Sequence, residues 1–95
     1  MNGDTAIAKI LKAEGVDWLS CFPAQSLISA AAEQGIRPIL CRQERAGVNF
    51  ADGFSRVNNG SKIGVFTMQA GPGAENAFGG VAQAFTDSVP ILLLP

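Results

Sequence analysis

Three short segments of this sequence combine polar, glycine and proline residues at places where a strand pattern gives way to a helix pattern. They cover residues 21–25, 41–45 and 68–75. The second contains Glu44, a carboxylate that could exchange a proton with a ligand, and the third contains the run Gly71-Pro72-Gly73. Ligands of open parallel sheets bind beyond the carboxyl ends of the strands. We therefore expect any functional site to lie among these segments.

Taken alone, each segment also has a purely structural interpretation. Glu44 could be a carboxylate favoured by the dipole at a helix start, or an ion-pair partner of Arg42, Arg45 or Arg56. The glycine-containing segment could be a tight strand-to-helix turn. A phosphate-binding loop is a weaker interpretation of that segment, because the spacing G-x-G-x-x-N lacks a third glycine and no lysine follows.

Strand and helix patterns alternate along the whole chain. The predicted strands are Val16–Phe22, Ile36–Cys41, Lys62–Thr67 and Ile91–Leu94. The predicted helices begin near Asp4, which could cap the first, then after Pro23, near Glu44 and near Ala74. Such alternation is typical of right-handed βαβ units with a parallel sheet. The sequence therefore predicts an α/β fold of three layers, with helices on both faces of the sheet.

The fourth predicted helix has an unusual composition. It extends to about Phe85, and its apolar residues are expected to face inward; these are Ala77, Phe78, Val81, Ala82 and Phe85. Gly79 and Gly80 lie within it, and each costs about 1 kcal/mol relative to alanine. This cost indicates either that another helix approaches closely or that the helix is simply weak.

Composition excludes several classes of function. The 95 residues are enough for one domain, and 47% of them are hydrophobic against 16% charged, so we expect apolar surface for a partner or for further chain. A net charge of −1 without a basic run argues against nucleic-acid binding. The absence of histidine, with two widely spaced cysteines, argues against a zinc site. No apolar stretch is long enough for a membrane span, and lone cysteines are typical of a cytoplasmic protein.

Four motifs occur together in one order. They are Phe22-Pro23-Ala24, Arg42–Arg56 with its run of small residues after Glu44, Ala70–Asn76, and Ala84–Pro90 followed by an apolar strand. In this order and spacing the chain resembles the N-terminal pyrimidine-binding domain of thiamine-diphosphate enzymes of the acetolactate synthase, pyruvate oxidase and benzoylformate decarboxylase group. The resemblance covers essentially residues 1–95, which we expect to be the N-terminal part of such a domain, with further strands and helices to follow.

The resemblance implies a catalytic role for one residue and binding roles for others. Glu44 would hydrogen-bond N1′ of the aminopyrimidine and activate the cofactor by acid–base catalysis. Apolar walls around the pyrimidine would come from Phe22, Pro23 and Pro72, and Asn76 would add a polar contact. This role requires an isolated carboxylate in an apolar, water-poor pocket.

The resemblance also implies what lies outside this chain. In the family, a C-terminal domain holds the diphosphate and Mg²⁺ through a G-D-G…N motif; Asp52-Gly53 lies within a helix pattern and is not part of such a motif. No metal ligand is therefore expected here. The substrate would be a 2-oxo acid, and the active site would form between the subunits of a homo-oligomer, a dimer or a tetramer. We expect this chain alone to be inactive.

The chain departs from the family pattern at several positions. Gln43 stands where a histidine is frequent, Ala24 and Gln25 replace glycines, and Ala70 replaces a serine. Two other functions therefore stay open on the sequence. One is a non-catalytic assembly or regulatory module of the same fold, and the other is a Rossmann-like nucleotide-binding domain.

Overall fold

Four parallel strands, each four residues long, form the single sheet. The computed structural model describes residues 1–23 and 26–95, so Ala24 and Gln25 lie outside the described residues. The strands are β1 (Trp18–Cys21), β2 (Arg37–Leu40), β3 (Gly64–Thr67) and β4 (Ile91–Leu94). The helices are α1 (Gly3–Ala13), α2 (Ser26–Glu33), α3 (Glu44–Val57) and α4 (Pro72–Thr86). Every predicted strand and helix is present, although the first three strands are shorter than predicted.

The helix starts differ from the prediction at two points. Asn2, and not Asp4, caps α1, because its side-chain oxygen accepts a hydrogen bond from the backbone N–H of Thr5 at 2.9 Å. Asp4 lies in the first turn and accepts a hydrogen bond from the hydroxyl of Ser26 on α2. Helix α4 begins at Pro72 and not at Ala74, since the fixed φ of proline suits the first helical position, where no N–H is needed.

The sheet has the strand order β2-β1-β3-β4. Helices α1 and α2 cover one face, where Leu11 and Ala31 join a core cluster with Leu19 of β1 and Val65 of β3. On the other face, the residues that α3 and α4 contribute to a second cluster pack around Phe66 of β3. Since consecutive residues of a strand point to opposite faces, Val65 and Phe66 serve different layers. The predicted three-layer α/β architecture is confirmed.

The inward face of α4 agrees with the prediction at Ala77, which is buried, and at Val81, which packs against the cluster around Phe66, but it differs elsewhere. Ala82, predicted to face inward, is exposed. The buried residues of α4 are small, namely Gly73, Ala77, Gly80 and Ala84. Phe78 and Phe85 are instead 69% and 84% exposed, so the prediction that they face the core was wrong. The reason is that small side chains allow α4 to lie close to α3 and the sheet, which leaves no room for a phenyl ring on that side.

Gly79 and Gly80 have different neighbours, and the difference gives a test of helix packing. An added Cβ at Gly80 would lie 2.8 Å from Cβ and Cγ1 of the buried Val48 on α3. At Gly79 it would lie 2.9 Å from a guanidinium nitrogen of Arg45, which is exposed and can swing aside. The interpretation that another helix approaches closely is therefore confirmed for Gly80.

We expect opposite effects from Gly80→Ala and Gly79→Ala. At position 80, overpacking of about 1–3 kcal/mol should exceed the gain of about 1 kcal/mol in helix propensity, and the free energy of unfolding should fall. At position 79 the propensity gain should dominate, and stability should rise by up to about 1 kcal/mol. Urea unfolding of the two variants beside the parent chain measures both effects. Equal effects at the two positions would contradict this account of the packing.

Candidate functional site

Helix α3 begins at Glu44, just beyond the carboxyl end of β2. Gln43 occupies the cap position in an extended conformation, with φ −157° and ψ 158°, and makes no side-chain capping bond. Glu44 is therefore in the first turn, where the helix dipole favours a negative charge. The Gly71–Pro72 start of α4 follows the carboxyl end of β3, so the starts of α3 and α4 lie at the same edge of the sheet.

The first turn of α3 is fixed to the sheet by its backbone. Gly47 lies so close to β3 that an added Cβ would come within 2.0 Å of Cε1 of Phe66. From β1, the hydroxyl of Ser20 donates a hydrogen bond of 2.7 Å to the carbonyl oxygen of Gly47. These two contacts lie one helical turn from Glu44 and determine where its backbone sits.

The carboxylate of Glu44 is withdrawn from solvent, with 6% of the residue exposed. Its Oε1 accepts a hydrogen bond from Nδ2 of Asn76 on α4 at 3.3 Å. Its Oε2 lies against Gly73, where an added Cβ would be 3.3 Å from that oxygen. The two oxygens thus have different neighbours, both of them supplied by the first two turns of α4.

The ion-pair alternative for Glu44 does not hold in the described parts of the chain. Within residues 1–23 and 26–95, no lysine or arginine forms a salt bridge with Glu44. Arg56 pairs instead with Asp52 at 2.6 Å and with Asp87 at 2.8 Å, and these hydrogen bonds raise the pKa of Arg56. Arg56 therefore joins α3 to Asp87 at the end of α4, and Asp52 pairs with Arg56 from within α3.

A cavity of about 470 Å³ opens beside Glu44. Among the described residues, its lining is polar, unlike the apolar pocket predicted around this carboxylate. The lining consists of Gln43, Glu44, Arg45, Glu75 and Asn76. The apolar residues expected around the pyrimidine lie elsewhere at this edge. Phe22 is partly buried and packs against the cluster around Phe66, while Pro23 and Pro72 are exposed. The structure thus brings Glu44 and Asn76 together, and the role of Phe22, Pro23 and Pro72 as walls stays a prediction.

Three residues beside Glu44 lie in the predicted segments but were not among the predicted site residues. Gly73 lies beside Glu44, so that an added Cβ would be 3.3 Å from Oε2. Arg45 and Glu75 line the cavity. The spacing of Gly73 and Asn76, three residues apart, is a signal that both lie on one side of a helix. The contribution of Arg45 depends on its position over Gly79 of α4, which is a contact between two helices that no local pattern shows.

Other features of the described chain lie away from this carboxylate. A groove of about 680 Å³ lies between the end of α1 and residues 60–63, next to Trp18 and Leu92, at the amino ends of the strands. This groove is larger than the cavity beside Glu44. However, none of the described residues that line it has a buried carboxylate, so its larger volume does not make it the better candidate site. Cys21 and Cys41 are free and buried, and burial raises the pKa of the Cys21 thiol to about 11.

The described residues contain neither a cluster of metal-binding side chains nor a membrane-spanning helix. No group of three or more Cys, Asp or Glu side chains in residues 1–23 and 26–95 is arranged to hold a metal ion. In the same part of the chain, no helix has the length and apolar character to cross a membrane.

Comparison with known proteins identifies the fold family. Residues 1–95 match the family model described as "Thiamine pyrophosphate enzyme, N-terminal TPP binding domain". The chain is 34% identical to the acetolactate synthase large subunit of Haemophilus influenzae and 38% identical to a probable acetolactate synthase large subunit of Methanococcus aeolicus. Each alignment covers 99% of this chain but only 17% and 16% of the respective relatives.

A relative from Escherichia coli has a similar identity and a similar coverage. Its acetolactate synthase isozyme 2 large subunit is 32% identical over 97 residues, which are 99% of this chain and 17% of that protein. The match of the family model over the whole chain agrees with the parallel α/β architecture and with the motifs around Glu44. This chain belongs to the N-terminal, thiamine-pyrophosphate-binding domain family of thiamine pyrophosphate enzymes.

Proposed function

We propose that this chain is the pyrimidine-binding half-site of a thiamine-diphosphate-dependent, acetolactate synthase-like enzyme that acts on 2-oxo acids. The observation that carries the proposal is the carboxylate of Glu44. It is buried, makes no salt bridge within the described residues, and borders a cavity at the sheet edge where ligands of this fold class bind. Within the described residues, the helix dipole and the amide of Asn76 stabilise this carboxylate without neutralising it, so it remains able to hydrogen-bond a ligand.

The residues around Glu44 fit an aminopyrimidine. A ring nitrogen needs one hydrogen-bonding oxygen, and Glu44 has two, of which Oε1 is occupied by Asn76. Gly73 has no side chain to cover Oε2. When bound, thiamine diphosphate supplies a thiazolium carbon that adds to the carbonyl group of a 2-oxo acid. The task of this chain is to hold a proton between Glu44 and the ring nitrogen and to limit the access of water to it.

We further propose that other parts of a larger assembly complete the site. The relatives are named large subunits of acetolactate synthase, and this chain spans 17% and 16% of two of them. The diphosphate and Mg²⁺ would be bound by a C-terminal domain, and the active site would form between subunits of a homo-oligomer. Phe78 and Phe85, exposed on α4, are consistent with a surface that is covered in such an assembly.

Titration of the full-length protein with thiamine diphosphate tests this proposal. We expect binding in the presence of Mg²⁺, measured by calorimetry, and consumption of a 2-oxo acid such as pyruvate by the loaded protein. The 95-residue chain alone should show neither. NAD serves as the control ligand, because a Rossmann-like nucleotide-binding domain would bind it in preference. Binding of NAD without binding of thiamine diphosphate would contradict the proposal.

The non-catalytic module is the second candidate within this family. It would have the same fold, and its assembly would not depend on the carboxylate of Glu44. A full-length protein that binds thiamine diphosphate but consumes none of a panel of 2-oxo acids would favour this candidate. The burial of Glu44 beside an open cavity favours the enzyme.

A further inference from the structure

Asn76 contacts Glu44, so its influence is not limited to a direct contact with a ligand. It is in the second turn of α4, and its Nδ2 donates to Oε1 of Glu44 at 3.3 Å. A carboxylate oxygen can only accept, so this hydrogen bond defines the orientation of the amide. Asn76 itself is exposed, so its contacts contribute little to the core, and the contact with Glu44 is the one that distinguishes it.

The geometry makes the two oxygens of Glu44 unequal. Oε1 is bound to the amide, while Oε2 faces the backbone at Gly73. One hydrogen bond to one oxygen restricts rotation of the carboxylate about its last bond, which is otherwise broad. The carboxylate plane is therefore set by α4, although the residue itself belongs to α3.

We propose that Asn76 is a positioning residue that orients Glu44, so that Oε1 is tethered and Oε2 is the oxygen that exchanges the proton with the cofactor. This inference rests on the proposed function, because it assigns the oxygen that performs the reaction proposed above for Glu44. It differs from a direct contact between Asn76 and the pyrimidine, since the amide acts through the carboxylate.

The test uses the full-length protein in four forms: the parent, Asn76→Ala, Glu44→Gln and the double variant. Calorimetry gives the Kd of thiamine diphosphate with Mg²⁺, and steady-state kinetics give kcat with a 2-oxo acid. In Asn76→Ala we expect kcat to fall about tenfold or more, as for loss of a hydrogen bond to a charged group. The Kd should change less than about threefold. In free energy, a threefold change is under half of a tenfold change. In the Glu44→Gln background, Asn76→Ala should change neither quantity.

A conservative variant separates the donor role from packing. Asn76→Asp keeps the shape but replaces the donor by a second carboxylate, and we expect kcat to fall at least as far as in Asn76→Ala. Gln83→Glu adds the same charge at an exposed position of the same helix and should leave kcat unchanged. Near-normal kcat in Asn76→Asp would refute the positioning role.

Two other outcomes would overturn the inference in distinct ways. If Asn76→Ala weakens cofactor binding tenfold or more with either residue at position 44, Asn76 contacts the cofactor directly. If kcat is normal in both Asn76 variants, the hydrogen bond has no role in the reaction. Failure of the proposed function gives a different result, namely no binding of thiamine diphosphate by the parent protein, or full activity in Glu44→Gln itself.

Discussion

Replacement of Glu44 by glutamine is expected to lower kcat of the full-length enzyme by at least about a hundredfold, within the range that general acid–base catalysis contributes. Glutamine has nearly the same shape and can still accept the hydrogen bond from Asn76. It cannot exchange a proton near neutral pH. The loss should therefore appear in kcat with a 2-oxo acid, while thermal unfolding followed by circular dichroism stays close to that of the parent.

A matched control makes this result specific. Glu33→Gln removes one carboxylate from the last position of α2, where the side chain is exposed, and should leave kcat unchanged. Glu44→Asp keeps the acid but shortens its reach, so it should retain more activity than Glu44→Gln. Near-normal turnover in Glu44→Gln, with the fold intact, would refute the catalytic role of this residue.

Replacement of Gly47 by alanine is expected to lower the stability of the domain substantially. The new Cβ would lie 2.0 Å from Cε1 and 2.6 Å from Cζ of Phe66, whose ring is fully buried. Either the ring or the helix must move. Overpacking costs about 1–3 kcal/mol or more, and the gain in helix propensity is about 1 kcal/mol. We expect a net loss of about 2 kcal/mol and a Tm lower by about 10 °C, measured by thermal unfolding.

The same helix contains the control for this change. Gly53 is also in α3, and an added Cβ there would meet no atom within 4 Å. Gly53→Ala should therefore raise the free energy of unfolding by up to about 1 kcal/mol. Phe66→Leu replaces the ring by a smaller side chain. It should therefore restore part of the stability that Gly47→Ala loses. If Gly47→Ala and Gly53→Ala have the same effect on Tm, the close contact between α3 and β3 is refuted.

The fold could be predicted because its signals are local. Alternating helix and strand patterns, with glycine and proline between them, defined three consecutive βαβ units, and parallel pairing follows from that alternation. The inward face of α4 could not be predicted from such local signals. Its phenylalanines are the most hydrophobic residues of the helix, yet Ala77 and Gly80 face inward, because the available gap is decided by the distance between α4 and α3.

The candidate site, like the fold, could be predicted only where its signals are local in the sequence. The motif around Glu44 indicated the acid and its place at a helix start. The hydrogen bond from Asn76 joins residues 32 positions apart, and it exists only because α3 and α4 are neighbours on one face of the sheet. The polar lining of the cavity by Arg45 and Glu75 also depends on that neighbour relation, so no pattern within either helix predicts it.

The anchoring of α3 at Gly47 has a consequence for how new reactions could arise on this domain. The acid is held in place by a helix backbone against a buried ring and by the hydroxyl of Ser20, and its position does not depend on the side chains of the loops. Residues such as Gln43 and Ala70, which are exposed, can therefore be exchanged without displacing the acid. Under the proposed function, loop residues could change and alter substrate preference while the position of the Glu44 carboxylate stays the same.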